Sequence, residues 1–179
     1  MSENKTEIRF VGFGGQGIIL AAHITGRAIT IYEKSNATLT QNYGPESRGG
    51  SCAAGLIISD QAINYPHLTK PDVLVALSPE GYNKYKDDIK PGGLIIVEES
   101  ILVDKKSAVR TLTVPAGKLA EQIGKKFVTN MVVLGFMTAA AKFVNKEAMR
   151  QSIASSVPPG TEELNLKAFE MGYSHFKPE

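Results

Sequence analysis

The sequence predicts a doubly wound, mostly parallel α/β sheet of Rossmann-like type, with an inserted β-hairpin and a helical C-terminal third. Three observations predict it. A short apolar strand runs directly into the glycine-rich loop Gly12-Phe13-Gly14-Gly15-Gln16-Gly17, and a helical pattern follows. Val73-Leu74-Val75-Ala76-Leu77 is apolar throughout, as a strand covered on both faces must be, and it ends in Ser78-Pro79, an N-cap followed by proline at the first helical position. Strand-like and helix-like segments then alternate through the rest of the chain, which is the order that gives parallel sheets.

In chain order, Ile8-Arg9-Phe10-Val11 reads as the first strand. Ile18, Ile19, Ala22, Ala28 and Ile29 keep approximately helical spacing over residues 16–31. Ala37 to Thr40 is a second strand. Cys52 to Ile58 and Ile63 to Tyr65, joined by Ser59-Asp60-Gln61-Ala62, read as the inserted hairpin. The central strand Val73–Leu77 feeds a short helix reaching about Lys86. Pro91-Gly92-Gly93 turns the chain into a further buried strand at Leu94 to Val97, and Val109 to Val114 is the last strand. Helices are expected at Ala116 to Ile123, Asn130 to Phe143, Lys146 to about Ser155 and Thr161 to about Phe176. Val157-Pro158-Pro159-Gly160 is too short to divide domains, so residues 1–179 are expected to form one domain.

Composition excludes several functions. A net charge of +2 with lysines and arginines scattered along the chain argues against a nucleic-acid partner. The polar start Met1-Ser2-Glu3-Asn4-Lys5 leads straight into a strand, which argues against a signal peptide. The longest apolar run, Met131 to Ala141, is about half of what a membrane span requires. One cysteine and three histidines without metal-ligand spacing give no structural zinc or iron–sulfur set. A cytoplasmic location, with neither membrane nor nucleic acid as partner, is the resulting expectation.

Two glycine-rich loops carry the candidate site. In the first, Gly14, Gly15 and Gly17 permit a tight turn and close backbone approach around Gln16, and the helix that follows offers free N–H groups to an anion. Dinucleotide binding would also need an acid at the end of the second strand, about 20 residues on. That strand ends Thr38-Leu39-Thr40-Gln41-Asn42, and Glu33 falls before it. Anion docking and plain helix–sheet packing both remain open for this loop. The second loop, Tyr43-Gly44-Pro45-Glu46-Ser47-Arg48-Gly49-Gly50, presents one guanidinium and one carboxylate. Arg48 could clamp a phosphate or carboxylate, and Glu46 could then hold Arg48, orient a hydroxyl or contact another subunit, or the two could simply pair to stabilise the loop. Tyr43 and Gly49 flank the pair. Asn130 is either the N-cap of its helix or an amide pointing into the crevice. Cys52 reads as a small buried hydrophobe. No catalytic triad, metal set or P-loop is present in the sequence, so no catalytic residue is assigned.

Together these motifs resemble the gamma subunit of the 2-oxoacid:ferredoxin oxidoreductases. The residues that carry the likeness are Gly12 to Gly17, Asn42 to Gly50, Lys70-Pro71-Asp72-Val73-Leu74-Val75-Ala76-Leu77, Asn130-Met131-Val132-Val133-Leu134-Gly135 and Leu164 to Tyr173. The segment Ala37-Thr38-Leu39-Thr40-Gln41 is most similar to the 2-oxoglutarate branch. The resemblance implies a subunit, inactive alone, of a complex that oxidatively decarboxylates a 2-oxoacid to an acyl-CoA and reduces ferredoxin. It places thiamine diphosphate with magnesium and the iron–sulfur clusters on alpha, beta or ferredoxin-like delta partners. It makes this chain a wall or lid near coenzyme A, with Gly14, Gly15, Gln16, Gly17 and Arg48 toward the cofactor. Tyr43, Glu46, Arg48, Gly49 and Asn130 would face substrate or a neighbouring subunit. The small subunit of an indolepyruvate:ferredoxin oxidoreductase, a stand-alone dinucleotide-binding oxidoreductase and a purely docking scaffold are the alternatives.

Overall fold

The structure, a computed structural model, describes residues 5–43, 50–104 and 109–178. Six strands form one mixed sheet in the order β2-β3-β1-β4-β5-β6: β1 (Lys5–Phe13), β2 (Asn36–Tyr43), β3 (Ser51–Ser59), β4 (Val73–Ala76), β5 (Leu94–Glu98) and β6 (Arg110–Val114). β1, β4, β5 and β6 are parallel neighbours, whereas β3 runs antiparallel to both β1 and β2. The helices are α1 (Ile18–Arg27), α2 (Pro79–Tyr85), α3 (Ala116–Gln122), α4 (Thr129–Ala141), α5 (Lys146–Ser156) and α6 (Glu162–His175).

The hairpin differs from the one the sequence suggested. β3 pairs with β2 from Asn36 opposite Ser59 to Tyr43 opposite Cys52, and residues 63–65 are irregular. The reason lies in the sheet. Both edges of β3 are taken, by β1 on one side and β2 on the other, so 63–65 has no strand left to join. Pro66 and Pro71 remove two backbone donors in the return segment as well. The second glycine-rich loop is therefore the connection within the hairpin. α1 also ends earlier than the apolar spacing implies. Residues Ala28–Tyr32 continue it as a wider π-type turn, with the Glu33 N–H donating to the Ala28 carbonyl at 3.2 Å, which is why the helical period drifts there.

Helices lie on both faces, unevenly. α1, α3, α4, α5 and α6 cover one face around Phe10, Ile24, Leu56, Met131 and Phe169. The other face holds a smaller core of Val11, Leu74, Tyr82, Ile95 and Val97 beneath α2. α4 is buried along almost its whole length and crosses α6 with backbones in contact. A Cβ on Gly172 would lie 1.8 Å from the Val132 carbonyl oxygen, and one on Gly135 would lie 1.9 Å from that of Phe169. Ser78 caps α2 as its sequence implies, accepting from the Gly81 N–H at 3.1 Å.

The irregular return segment is fastened to β1 by a buried carboxylate. Glu7, 1% exposed, accepts from the Thr69 N–H (2.8 Å) and hydroxyl (2.9 Å) and pairs with Lys5 at 2.8 Å. Burial pushes this carboxyl up, but Lys5 and Thr69 together outweigh that and hold it below the ordinary carboxylate value.

Candidate functional site

The register places both glycine-rich loops at the carboxyl edge of the sheet. Phe13, the last residue of β1, stands opposite Ser51, the first of β3, and the Gly14 N–H donates to the Gly50 carbonyl at 2.9 Å. Tyr43 ends β2 at the same edge; it is 62% exposed and its hydroxyl donates to Gln41 Oε1 at 2.7 Å. In an α/β sheet this is the edge where ligands sit. Glu46, Arg48 and Gly49 lie outside the described residues, and the structure defines only the two ends, Tyr43 and Gly50, from which their loop springs.

The first loop has a built shape. Gly15 and Gly17 take φ values of 96° and 72°, which side chains rarely adopt. Gln16 folds back onto the chain: its Oε1 accepts from the Phe13 N–H at 2.6 Å and its Nε2 donates to the Leu77 carbonyl at 3.0 Å. It ties the loop to the end of β4, so its amide faces the protein's own backbone. The first-turn N–H groups of α1 have no partners within the helix, and that turn holds no acidic residue. An anion at this loop would have backbone donors, not the Gln16 amide, to meet.

Asn130 sits in the first turn of α4, not at its N-cap, because the helix already begins at Thr129. It is 5% exposed, its Nδ2 lies 3.4 Å from the Gly17 carbonyl, and its Oδ1 accepts from the Met131 N–H at 3.0 Å. A Cβ on Gly17 would lie 2.2 Å from Asn130 Nδ2, so the absence of a side chain at Gly17 is what lets α4 approach the loop. Asn130 and the first loop come together, but through a packing contact inside the protein.

Beside Gln16 and Leu77 opens a crevice of about 730 Å³ bounded by Glu98, Glu99, Lys118, Glu121 and Lys126. These residues escaped the sequence reading. The available signal was Glu98-Glu99 directly at the end of an apolar parallel strand, the position where α/β proteins place functional groups. Glu98 accepts from the Ser100 N–H at 2.7 Å, from the Ser100 hydroxyl, and from the Gly117 N–H at 3.3 Å, so it closes the turn after β5 and anchors α3. Lys118 pairs with Glu99 at 2.6 Å and Lys126 with Glu121 at 2.8 Å; each partner raises the lysine above its ordinary value. With both ammonium groups already paired, the crevice suits a mixed-charge polar surface better than a free phosphate.

The single thiol is poorly placed for redox chemistry. Cys52 is 7% exposed and burial pushes it up, as a structural cysteine's would be. An iron–sulfur centre takes four thiolates and the sequence holds one, so the residues of this chain do not fit such a group. Among the described residues no cluster of histidine, cysteine and carboxylates could hold a metal ion. No helix among them is long and apolar enough to cross a membrane.

Residues 7–175 match the family model described as pyruvate ferredoxin/flavodoxin oxidoreductase. Among curated relatives, 2-oxoglutarate synthase subunit KorC of Methanocaldococcus jannaschii is 47% identical over 173 residues, covering 94% of this chain and 92% of that protein. Ketoisovalerate oxidoreductase subunit VorA of Methanothermobacter thermautotrophicus is 32% identical over 172 residues, which are 94% of this chain but 36% of the longer VorA chain. Among solved structures, the keto/oxoacid ferredoxin oxidoreductase gamma subunit from Geobacter sulfurreducens superposes with a TM-score of 0.86 at 38% identity, covering 96% of this chain and 95% of that one. The resemblance read from the glycine-rich loops and the α/β architecture are both borne out. The chain belongs to the pyruvate ferredoxin/flavodoxin oxidoreductase family, as a subunit of gamma type.

Proposed function

We propose that this chain is the gamma subunit of a 2-oxoglutarate:ferredoxin oxidoreductase and forms a wall of the crevice through which coenzyme A reaches the active centre. The observation that carries this reading is the end-to-end 47% identity with a 2-oxoglutarate synthase subunit, against 32% with a ketoisovalerate oxidoreductase subunit. In the net reaction 2-oxoglutarate loses carbon dioxide, its acyl carbon is joined to the sulfur of coenzyme A, and two electrons pass to ferredoxin. Thiamine diphosphate, magnesium and the iron–sulfur clusters belong to alpha, beta and ferredoxin-like delta partners in this reading. The complex works in the cytoplasm. Residues 1–179 act as one domain.

Within that complex the chain's work is positional. The first-turn N–H groups of α1, opened by Gly14, Gly15 and Gly17, offer a partial positive charge to a phosphate, and Arg48 would add a guanidinium from the hairpin loop. Gln16 and Asn130 hold the loop in shape from behind. Tyr43, Glu46 and Gly49 would meet the neighbouring subunit or the substrate.

The test is reconstitution. Coenzyme A- and 2-oxoacid-dependent reduction of ferredoxin is followed for the chain alone, for the partner chains alone and for the mixture. Activity only in the mixture, fastest with 2-oxoglutarate, is the expected result. Activity of this chain by itself would overturn the subunit reading, and faster turnover of pyruvate or 2-oxoisovalerate would overturn the substrate.

A further inference from the structure

Where β1 and β4 part, a side chain fills the space between them. The two strands are parallel, with Val11 opposite Ala76, and just beyond them the Leu77 N–H donates to the Val11 carbonyl at 2.9 Å. Bonds in a parallel ladder are evenly spaced, so the next rung would run from the Phe13 N–H to the Leu77 carbonyl. Here an amide intervenes. The Phe13 N–H donates to Gln16 Oε1 at 2.6 Å, and Gln16 Nε2 donates to the Leu77 carbonyl at 3.0 Å. The side chain of Gln16 thus enters the ladder as a surrogate peptide group, with one acceptor turned to β1 and one donor turned to the end of β4.

The surroundings are cut to fit it. A Cβ on Gly12 would lie 2.5 Å from Gln16 Oε1, so the bare backbone at Gly12 leaves the room that the amide takes up. Pro79 has no N–H to extend the ladder past Leu77, and the Phe13 carbonyl accepts instead from the Gln16 backbone N–H at 3.1 Å. Beyond this point β1 leads to α1 on one face of the sheet and β4 to α2 on the other, which is the arrangement of a topological switch point. The position demands an amide. A carboxylate could accept from Phe13 but would set its charge against the Leu77 carbonyl. It would also take for itself the partial positive charge at the start of α1, whose first turn holds no acid.

We propose that Gln16 is a positioning residue for coenzyme A. By standing in for one rung it holds the ends of β1 and β4 apart, and so sets the first loop and the α1 donors where the phosphate meets them. Without the amide, the Phe13 N–H and the Leu77 carbonyl close on each other and draw the loop toward β4. Both backbone groups stay paired, so stability changes little while the binding geometry is lost. The inference rests on the coenzyme reading given above and names the side chain that tunes it.

Gln16→Ala and Gln16→Glu are compared with the original chain, alone and assembled with the partner subunits. In the isolated, isotope-labelled chain, a through-hydrogen-bond NMR coupling should link the Phe13 nitrogen to the Gln16 side-chain carbonyl. In Gln16→Ala that coupling should pass to the Leu77 carbonyl, with the urea midpoint little changed. In the assembled enzyme both variants should raise KM for coenzyme A by at least about tenfold. Their kcat at saturating coenzyme A and KM for 2-oxoglutarate should change far less. Gln16→Glu should be the more impaired, and its excess should shrink as added salt screens the new charge from the phosphate. A missing coupling in the original chain, or a Gln16→Ala chain that loses stability while its coenzyme A saturation stays put, would overturn the inference. An assembled enzyme that requires coenzyme A but saturates alike in all three forms would overturn it and leave the coenzyme reading standing. An enzyme indifferent to coenzyme A would overturn both.

Discussion

Replacing Gly172 by alanine tests the part of the fold that sets α4 in place behind the first loop. The new Cβ would lie 1.8 Å from the Val132 carbonyl oxygen and 2.7 Å from its carbon, and both are backbone atoms that no rotamer change can move. Reaching the 3.0 Å that real Cβ contacts respect requires α4 and α6 to part by about 1.2 Å. A gap of about 0.5–1 Å already forfeits a quarter to a half of the dispersion energy of the contacts it opens. Overpacking of this kind costs about 1–3 kcal/mol, and here it falls at the largest helix–helix contact of the molecule. Alanine returns about 1 kcal/mol through helix propensity. Because the clash is with backbone, the cost sits at the upper end of that range and the net loss should be about 2 kcal/mol, read by urea unfolding of the purified chain, with a fall in melting temperature of about 4–8 °C. Gly135→Ala places its Cβ 1.9 Å from the Phe169 carbonyl oxygen in the same crossing, so one helix displacement relieves both clashes. The double variant should therefore lose clearly less than the two single losses combined. A Gly172→Ala protein as stable as the original, or more so, would refute the close crossing; strict additivity would refute the shared displacement.

The other predictions concern the site and its supports. Gly17→Ala should cost about 1–2 kcal/mol for the left-handed backbone alone and more for the collision with Asn130; Asn130→Ala added to it should recover the second part but not the first, measured as a double-mutant cycle by urea unfolding. For Glu7, the folded carboxyl titrates below its ordinary value of 4.5, so on acidification the unfolded chain takes up the proton first. The stability this group contributes is present above that value and is lost as pH falls through the lower folded value. Glu7→Gln should therefore cost about 1–2 kcal/mol at pH 7 and progressively less below the ordinary value, while an equal loss at both ends of a pH series would exclude the Lys5–Glu7–Thr69 account. In the assembled enzyme, Arg48→Ala should raise KM for coenzyme A by about tenfold or more with little change in KM for 2-oxoglutarate; unchanged coenzyme A saturation would remove Arg48 from the proposed site.

What could be read from the sequence, and what could not, divides along the range of the interactions involved. Ser78-Pro79 names its helix start because capping is settled within four residues, and the apolar runs 73–77 and 94–97 name buried parallel strands by composition alone. The partner of β3 is decided by sheet order. Residues 37–40 and 63–65 are both short and strand-like, and nothing local says which of them borders residues 52–58. The same limit applies at the site. Glycines at positions 15 and 17 announce a tight loop, but Gln16 looks free to meet a ligand until Phe13 and Leu77 are seen to claim its amide. Asn130 looks like an N-cap until a residue 113 positions away in sequence turns out to be its neighbour.

The charged crevice and the edge strand β2 bear on one question, what two worked surfaces at one end of the sheet are for. Ammonium–carboxylate pairs at Lys118–Glu99 and Lys126–Glu121 are exposed and contribute little to stability on their own. Glu98, by contrast, spends its carboxylate on the Ser100 and Gly117 backbone and fixes the wall that carries them. A wall held this firmly, lined by charges that are paired but still solvated, has the chemistry of an interface rim rather than of a reaction centre. β2 reaches the same edge of the sheet from the other side and ends in the exposed ring of Tyr43. If the partner's active centre faces this edge, the two surfaces grip it on either side of the first glycine-rich loop. Alanine at Lys118 and Lys126 together should then weaken subunit association and make it less sensitive to salt, with the fold of the isolated chain unchanged. Association that keeps its strength and its salt dependence in that variant would place the partner elsewhere on the molecule.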